Sequence, residues 1–70
     1  VFYQLGISHY GLQEYRKAKE YFDEEIKLNP NHLNSYVKKG DSLLMLKEYY
    51  EANICFNKVI AIKSNDSTLY

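Results

Sequence analysis

A chain of 70 residues forms at most one small domain, in which conformational entropy nearly cancels the hydrophobic free energy of the core. Apolar residues make up 46% of the sequence and aromatic residues 16%, which is too rich for intrinsic disorder. Nine basic side chains balance nine acidic ones, so the sequence lacks the clustered positive charge of a nucleic-acid-binding surface. No apolar run approaches the roughly 18 residues that a membrane span needs.

Apolar residues recur at helical spacing in four successive segments, and no segment shows the sustained alternation typical of a strand. Asn29-Pro30-Asn31 separates the second segment from the third, because proline cannot continue a helix and asparagine caps one. Ser64-Asn65-Asp66 is expected to make the equivalent break after the fourth. All connections are short, so consecutive helices should pack antiparallel. The predicted helices lie near residues 1–12, 15–28, 33–46 and 49–62, with a fifth beginning near residue 67.

The four predicted helices form two copies of one unit, because the sequence resembles itself at an offset of 34 residues. Ten residue pairs are identical at this offset, whereas offsets of 33 and 35 leave one identical pair each. The predicted units are residues 1–32 and 33–66, and residues 67–70 begin a third. The identical pairs are Gly6/Gly40, Ser8/Ser42, Leu12/Leu46, Glu14/Glu48, Tyr15/Tyr49, Ala18/Ala52, Phe22/Phe56, Ile26/Ile60, Asn31/Asn65 and Tyr36/Tyr70.

The repeated glycines carry information about packing. Gly6 and Gly40 fall in the middle of helices, where glycine costs about 1 kcal/mol relative to alanine. This cost is understandable where a neighbouring helix approaches too closely for a side chain. We expect Ala18 and Ala52 to form the other side of that approach, with the phenylalanine of each unit filling the wider gap beside it.

These residues resemble the tetratricopeptide repeat, whose signature runs aromatic, Leu-Gly, Tyr, Ala, Phe and Pro over about 34 residues. The resemblance covers the whole chain. It implies an all-α fold, an α-solenoid of two antiparallel helix–turn–helix hairpins with the start of a third. The matching residues are Phe2, Leu5, Gly6, Tyr15, Ala18, Phe22 and Pro30 in the first unit, and Tyr36, Gly40, Tyr49, Ala52 and Phe56 in the second.

The sequence departs from the family's pattern at a few positions. Lys39 stands where the family has leucine, and Glu25 stands where it has a small residue. Both are therefore expected at a wetter edge of the contact between the two units. Gln13 and Lys47 occupy the turn that often carries glycine, and Ser64 replaces the proline. None of these changes breaks the helical register.

The resemblance implies a protein-interaction module. In this family the first helix of each pair lines a concave surface that usually holds an extended or helical peptide. Most residues carried over to this surface are apolar or aromatic, which suits burial of apolar peptide side chains, with Asn34, Lys38 and Asp41 for orientation. The clamp with which some members hold a terminal carboxylate is not expected, because Tyr3 and Ile7 occupy two of its places. The expected groove residues are Tyr3, Ile7, Tyr10, Asn34, Val37, Lys38, Asp41, Leu44 and Met45.

The alternative function is architectural: a spacer or scaffold segment of a larger array, or an accessory region of an enzyme, with no ligand of its own. The expected partner is a protein or peptide, and neither nucleic acid nor a membrane. The chain is expected to be a two-repeat fragment of a longer array of this family. Without a complete third unit, the outer face of the last hairpin, around Phe56, Val59 and Ile60, is predicted to lack a cover. Isolated copies should therefore associate end to end or exchange helices.

Motifs for catalysis and for cofactors are missing, so we expect neither an enzyme nor a bound metal or cofactor. His9 is predicted to be packed or hydrogen-bonded in the core, and His32 to lie at the surface beside a turn. Ser8 and His9 point in different directions on one helix, so they cannot form part of a triad. The lone Cys55 excludes a disulfide framework and favours a reducing compartment, for which we expect the cytoplasm.

Charged residues of both signs share the predicted second helix. Asp23-Glu24-Glu25 lies about two turns beyond Arg16-Lys17. The expected result is a solvated face with local ion pairs. A docking patch on the convex side is the alternative.

Overall fold

The computed structural model describes the backbone of residues 1–67 and the side chains of residues 1–63. Within that part of the chain all regular structure is α-helical, which confirms the predicted fold class. The first and second helices pack as one hairpin and the third and fourth as another, while the second helix also packs against the third. The helices are α1 (Phe2–Gly11), α2 (Tyr15–Leu28), α3 (Leu33–Met45) and α4 (Tyr49–Ser67).

The end of α4 differs from the prediction. The helix continues to Ser67, so the break expected at residues 64–66 is wrong. In the first unit, α2 ends at Leu28, two residues before Pro30. Serine at position 64 keeps the backbone N–H that proline lacks, and the chain can continue as a helix. The third unit predicted for residues 67–70 falls almost entirely on residues 68–70, which lie outside the described residues.

The two hairpins turn with the same backbone geometry. Gln13 and Lys47 both have φ of 64°, in the left-handed region that favours glycine. In each turn the following amide closes the helix end: Glu14 N–H donates to the carbonyl of His9, and Glu48 N–H donates to the carbonyl of Leu43, both at 2.8 Å. This is the Schellman arrangement, in which glycine is the usual residue at the left-handed position.

Glycine at either left-handed position is therefore expected to stabilise the chain. Gln13→Gly and Lys47→Gly should each raise the free energy of unfolding by about 0.5–1 kcal/mol, because they remove the steric cost of a side chain at positive φ. Leu12→Gly is the matched control, since Leu12 precedes Gln13 with φ of −86° and should lose stability instead. Urea titrations followed by circular dichroism measure all three, and equal effects at positions 12 and 13 would contradict the argument.

The repeated glycines accommodate aromatic rings. A Cβ built on Gly6 would lie 2.5 Å from Cε1 of Phe22, and a Cβ on Gly40 would lie 2.8 Å from Cε1 of Phe56. The phenylalanine was expected to fill the wider gap beside this close approach, and that expectation is wrong. The three atoms nearest the missing Gly6 side chain all belong to the Phe22 ring. Ala18 is fully buried, and its place on the other side of the approach stays a prediction. Glycine is needed because the ring occupies the space that a Cβ would fill.

The contact between α2 and the second unit is partly ionic. The Lys39 ammonium donates to a carboxylate oxygen of Asp23 at 2.9 Å, and Lys19 lies 3.7 Å from a carboxylate oxygen of Glu48. Lys39 and Glu25 are both half-buried. The position of Lys39 at a polar edge between the two units agrees with the prediction. Asp23 supplies the charge that makes this half-buried lysine tolerable.

Candidate peptide-binding groove

The predicted groove residues lie on α1 and α3, the first helices of the two hairpins, which contact each other over only a small area. Leu44 and Met45 are the most open apolar members, with 40% and 55% of their surface exposed. Asn34 is also exposed. The half-buried members are Tyr3, Ile7, Tyr10, Val37, Lys38 and Asp41.

Tyr3 is fixed at one end of this set by two rings. Its ring centroid lies 5.8 Å from that of Phe22 and 5.0 Å from that of His32, the latter in an edge-to-face arrangement. Such pairs contribute about 0.5–1.5 kcal/mol beyond their buried area. Tyr3 therefore joins the core of the first hairpin to the start of α3, and only part of its surface is free for a ligand.

Tyr10 links the two groove helices near their other end. The Lys38 ammonium lies 5.4 Å from the centre of the Tyr10 ring, and the Tyr15 ring meets Tyr10 edge to face at 5.4 Å. Burial raises the pKa of the Tyr10 hydroxyl, and the negative charge of Asp41 raises it further. Tyr10, Lys38 and Asp41 are therefore close neighbours, and the phenol is neutral and able to donate a hydrogen bond at physiological pH.

His32 has a role that the sequence reasoning missed. It is the N-cap of α3: its ring nitrogen Nδ1 accepts from the Ser35 backbone N–H at 3.2 Å and lies 2.6 Å from the Ser35 hydroxyl. Histidine is not among the preferred capping residues, and the prediction gave the cap to asparagine. The signal that could have found it is the serine three residues further on, which is fully buried and satisfied by the ring.

His9 is packed and hydrogen-bonded, as expected, and Cys55 is part of the core of the second hairpin. His9 Nδ1 lies 2.6 Å from a carboxylate oxygen of Glu14, and its ring stacks on Tyr21 with centroids 5.1 Å apart. These contacts tie the end of α1 to α2. The Cys55 thiol is buried beside Leu43 and Ala52, and this burial raises its pKa, which disfavours the reactive thiolate.

The charged side chains of α2 divide between two settings. Lys27 pairs with Glu24 at 3.4 Å on the exposed face, a local pair that uses neither Arg16 nor Lys17. Asp23 instead pairs with Lys39 across the unit boundary. A surface cavity of about 450 Å³ lies beside α2, and none of its lining residues belongs to the predicted groove. It is lined by His9, Lys17, Glu20, Tyr21, Asp23 and Glu24.

In the part of the chain that the structure describes, no group of three or more histidine, cysteine, aspartate or glutamate side chains is placed to hold a metal ion. None of the helices in that part is both long enough and apolar enough to cross a membrane.

Successive helical hairpins that share one hydrophobic face, each packed on its neighbour, define an α-helical repeat protein. The sequence pattern of the tetratricopeptide repeat matches residues 1–32 and matches residues 33–66 a second time. The chain belongs to the tetratricopeptide repeat family. Repeats of this family are a non-catalytic module and generally mediate interactions between proteins.

Comparison with curated proteins finds an uncharacterized protein of Methanocaldococcus jannaschii. It is 31% identical over 64 residues, which make up 91% of this chain and 74% of that protein. No solved structure matches the chain.

Proposed function

We propose that the chain binds a peptide or protein segment on the face formed by α1 and α3. The observation that carries this proposal is the partial exposure of neighbouring apolar and aromatic side chains on the two helices, with Leu44 and Met45 the most open. Exposed apolar side chains grouped on one face are typical of sites that bury a partner's apolar groups. Ile7, Tyr10 and Val37 extend the same face inward as half-buried neighbours.

The balance of charge in this face supports a protein partner over nucleic acid or a membrane. Lys38 and Asp41 are its only charged members, one cation and one anion a single helical turn apart. A phosphate backbone or an anionic lipid surface would need several lysines or arginines there. The two charges instead suit the polar groups of a peptide backbone lying between apolar side chains. The buried, unreactive Cys55 supports a reducing compartment, and the cytoplasm is our proposal.

The groove is tested by replacing its apolar side chains. The triple variant Ile7→Ser, Tyr10→Ser and Leu44→Ser should lose at least about tenfold in affinity for peptides selected from a random display library against the native chain. The matched control is Ile54→Ser, because Ile54 is a half-exposed apolar residue on α4, outside the groove. Circular dichroism confirms that both variants keep the native helix content. Unchanged affinity in a folded triple variant would contradict the groove and favour the architectural role.

We also infer that copies of this chain associate end to end. Ile60 is 61% exposed, and Phe56 and Val59 remain half-exposed on the same helix. Phe22, the equivalent of Phe56 in the first unit, is completely buried. Association would bury the apolar surface that α4 leaves open. The two ends that would meet are the start of the predicted unit 1–32 in one copy and the end of the predicted unit 33–66 in another.

A further inference from the structure

The outer face of α1 is equivalent in sequence to a face of α3 that is covered inside the chain. On α3, Ser35 and Ser42 are fully buried, and Lys39 between them is paired with α2. The residues 34 positions before Ser35, Lys39, Ser42 and Leu46 lie at helical spacing along α1 and the residue that flanks it at each end, and all of them are open to solvent. This α1 stripe consists of Val1, Leu5, Ser8 and Leu12, of which Leu5 is 39% exposed and Leu12 is 67% exposed.

The opposite end of the chain carries the matching surface. Among the described helices α4 packs only against α3, whereas α2 packs against both α1 and α3. The face of α2 that meets the second unit includes Lys19 and Asp23, which pair with Glu48 and Lys39. The residues of α4 at the same places are Asn53 and Asn57, and both are exposed.

We infer that α4 of one copy packs against the α1 stripe of the next copy. The residues of the two helices are aligned as those of α2 and α3 are aligned within the chain. This inference rests on the association proposed above and specifies its partner, a second copy of the same chain, and its pairs. In this register Asn57 meets Leu5 of the next copy, as Asp23 meets Lys39 within the chain. Asn53 meets Glu14 of the next copy, as Lys19 meets Glu48.

The charges at these four places agree with this register. Within the chain, the acid Asp23 lies opposite the base Lys39. In the proposed contact between copies, Leu5 takes the place of the base and the uncharged Asn57 takes the place of the acid. No charge is therefore left unpaired at the centre of the contact, which would be costly. Asn53 can donate its amide to Glu14, which keeps its second carboxylate oxygen after His9 takes the first.

Charge placed in this pair tests the register. Leu5→Lys alone should weaken self-association by about tenfold, and Asn57→Asp alone should do the same, because each leaves a charge opposite an uncharged partner. The double variant recreates the Asp23–Lys39 pair between copies and should recover to within about threefold of the native chain. Its association should also become sensitive to salt. Sedimentation equilibrium up to millimolar concentration measures each constant.

The controls separate failure of the register from failure of association. Tyr50→Asp adds the same charge to α4 at a residue that is 77% exposed. Its equivalent on α2, Arg16, stays exposed although α2 packs against the second unit, so Tyr50→Asp should leave association unchanged. A native chain that stays monomeric would overturn the end-to-end association itself. Association that ignores both single variants would overturn the register alone. A closed dimer that does not grow with concentration would overturn it in favour of helix exchange, because a head-to-tail contact adds further copies.

Discussion

Replacing Phe22 with alanine is expected to unfold most of the chain. The Phe22 ring has no exposed surface, lies against Gly6 and contacts the ring of Tyr3, so its removal leaves a cavity that the small first hairpin cannot refill. Such truncations cost about 3–5 kcal/mol, which is the whole stability expected of a single core at this size. Far-UV circular dichroism without denaturant should show loss of most of the helical signal.

Phe56→Ala is the matched control for Phe22, because it removes the same ring from the same place in the second unit. Phe56 is only partly buried, so less surface is lost and the site can relax toward solvent. A loss of about 1–2 kcal/mol is expected, and a measurable folded baseline should remain in a urea titration. The two variants should be compared at low protein concentration, where no second copy covers α4. Equal losses at the two positions would show that burial does not distinguish the two rings.

Adding one methyl group at Gly6 should be the next most damaging change. The Gly6→Ala methyl would lie 2.5 Å from the Phe22 ring, which is enclosed and has nowhere to move. Overpacking of this kind costs about 1–3 kcal/mol, and the gain of about 1 kcal/mol in helix propensity offsets part of it. We expect a net loss of up to about 2 kcal/mol in the free energy of unfolding, measured by urea titration.

The other two glycines serve as controls for the Gly6 variant. Gly11 is the last residue of α1 and has no neighbouring atom within 4 Å of an added Cβ, so Gly11→Ala should raise stability by about 0.5–1 kcal/mol. Gly40→Ala should lie between, since the Phe56 ring opposite it is half-exposed and can give way. The order Gly11, Gly40, Gly6 from gain to loss is the critical outcome. A Gly6 variant as stable as the Gly11 variant would mean that the Phe22 ring is not held in place.

The helices were predictable from the sequence because three independent signals coincide. The helical spacing of apolar residues, the proline at position 30 and the offset of 34 residues all divide the chain at the same points. The first three helices accordingly begin and end within one residue of their predicted bounds. The fourth was predicted too short, because residues 64–66 were expected to break the chain as residues 29–31 do, and a serine in place of the proline does not enforce a break.

Side-chain partners were harder to predict, since an offset between two copies identifies equivalent positions but not the atoms that touch. The small residues of each unit were recognised, yet the ring of Phe22 rather than Ala18 occupies the space above Gly6. The capping role of His32 depends on the orientation of one ring nitrogen, which residue type alone does not determine. The groove stays a prediction on the same grounds: the faces of α1 and α3 follow from helical spacing, whereas a ligand does not.

The order in which the helices pack also bears on how quickly the chain finds its fold. Apart from a small contact between α1 and α3, each helix packs against the one that precedes or follows it, so native contacts join residues that are near in sequence. Chains of such low contact order fold on the order of microseconds to milliseconds, because little loop-closure entropy is lost before contacts form. Folding can begin in either hairpin and propagate through α2, the helix that belongs to the first hairpin and supports the second.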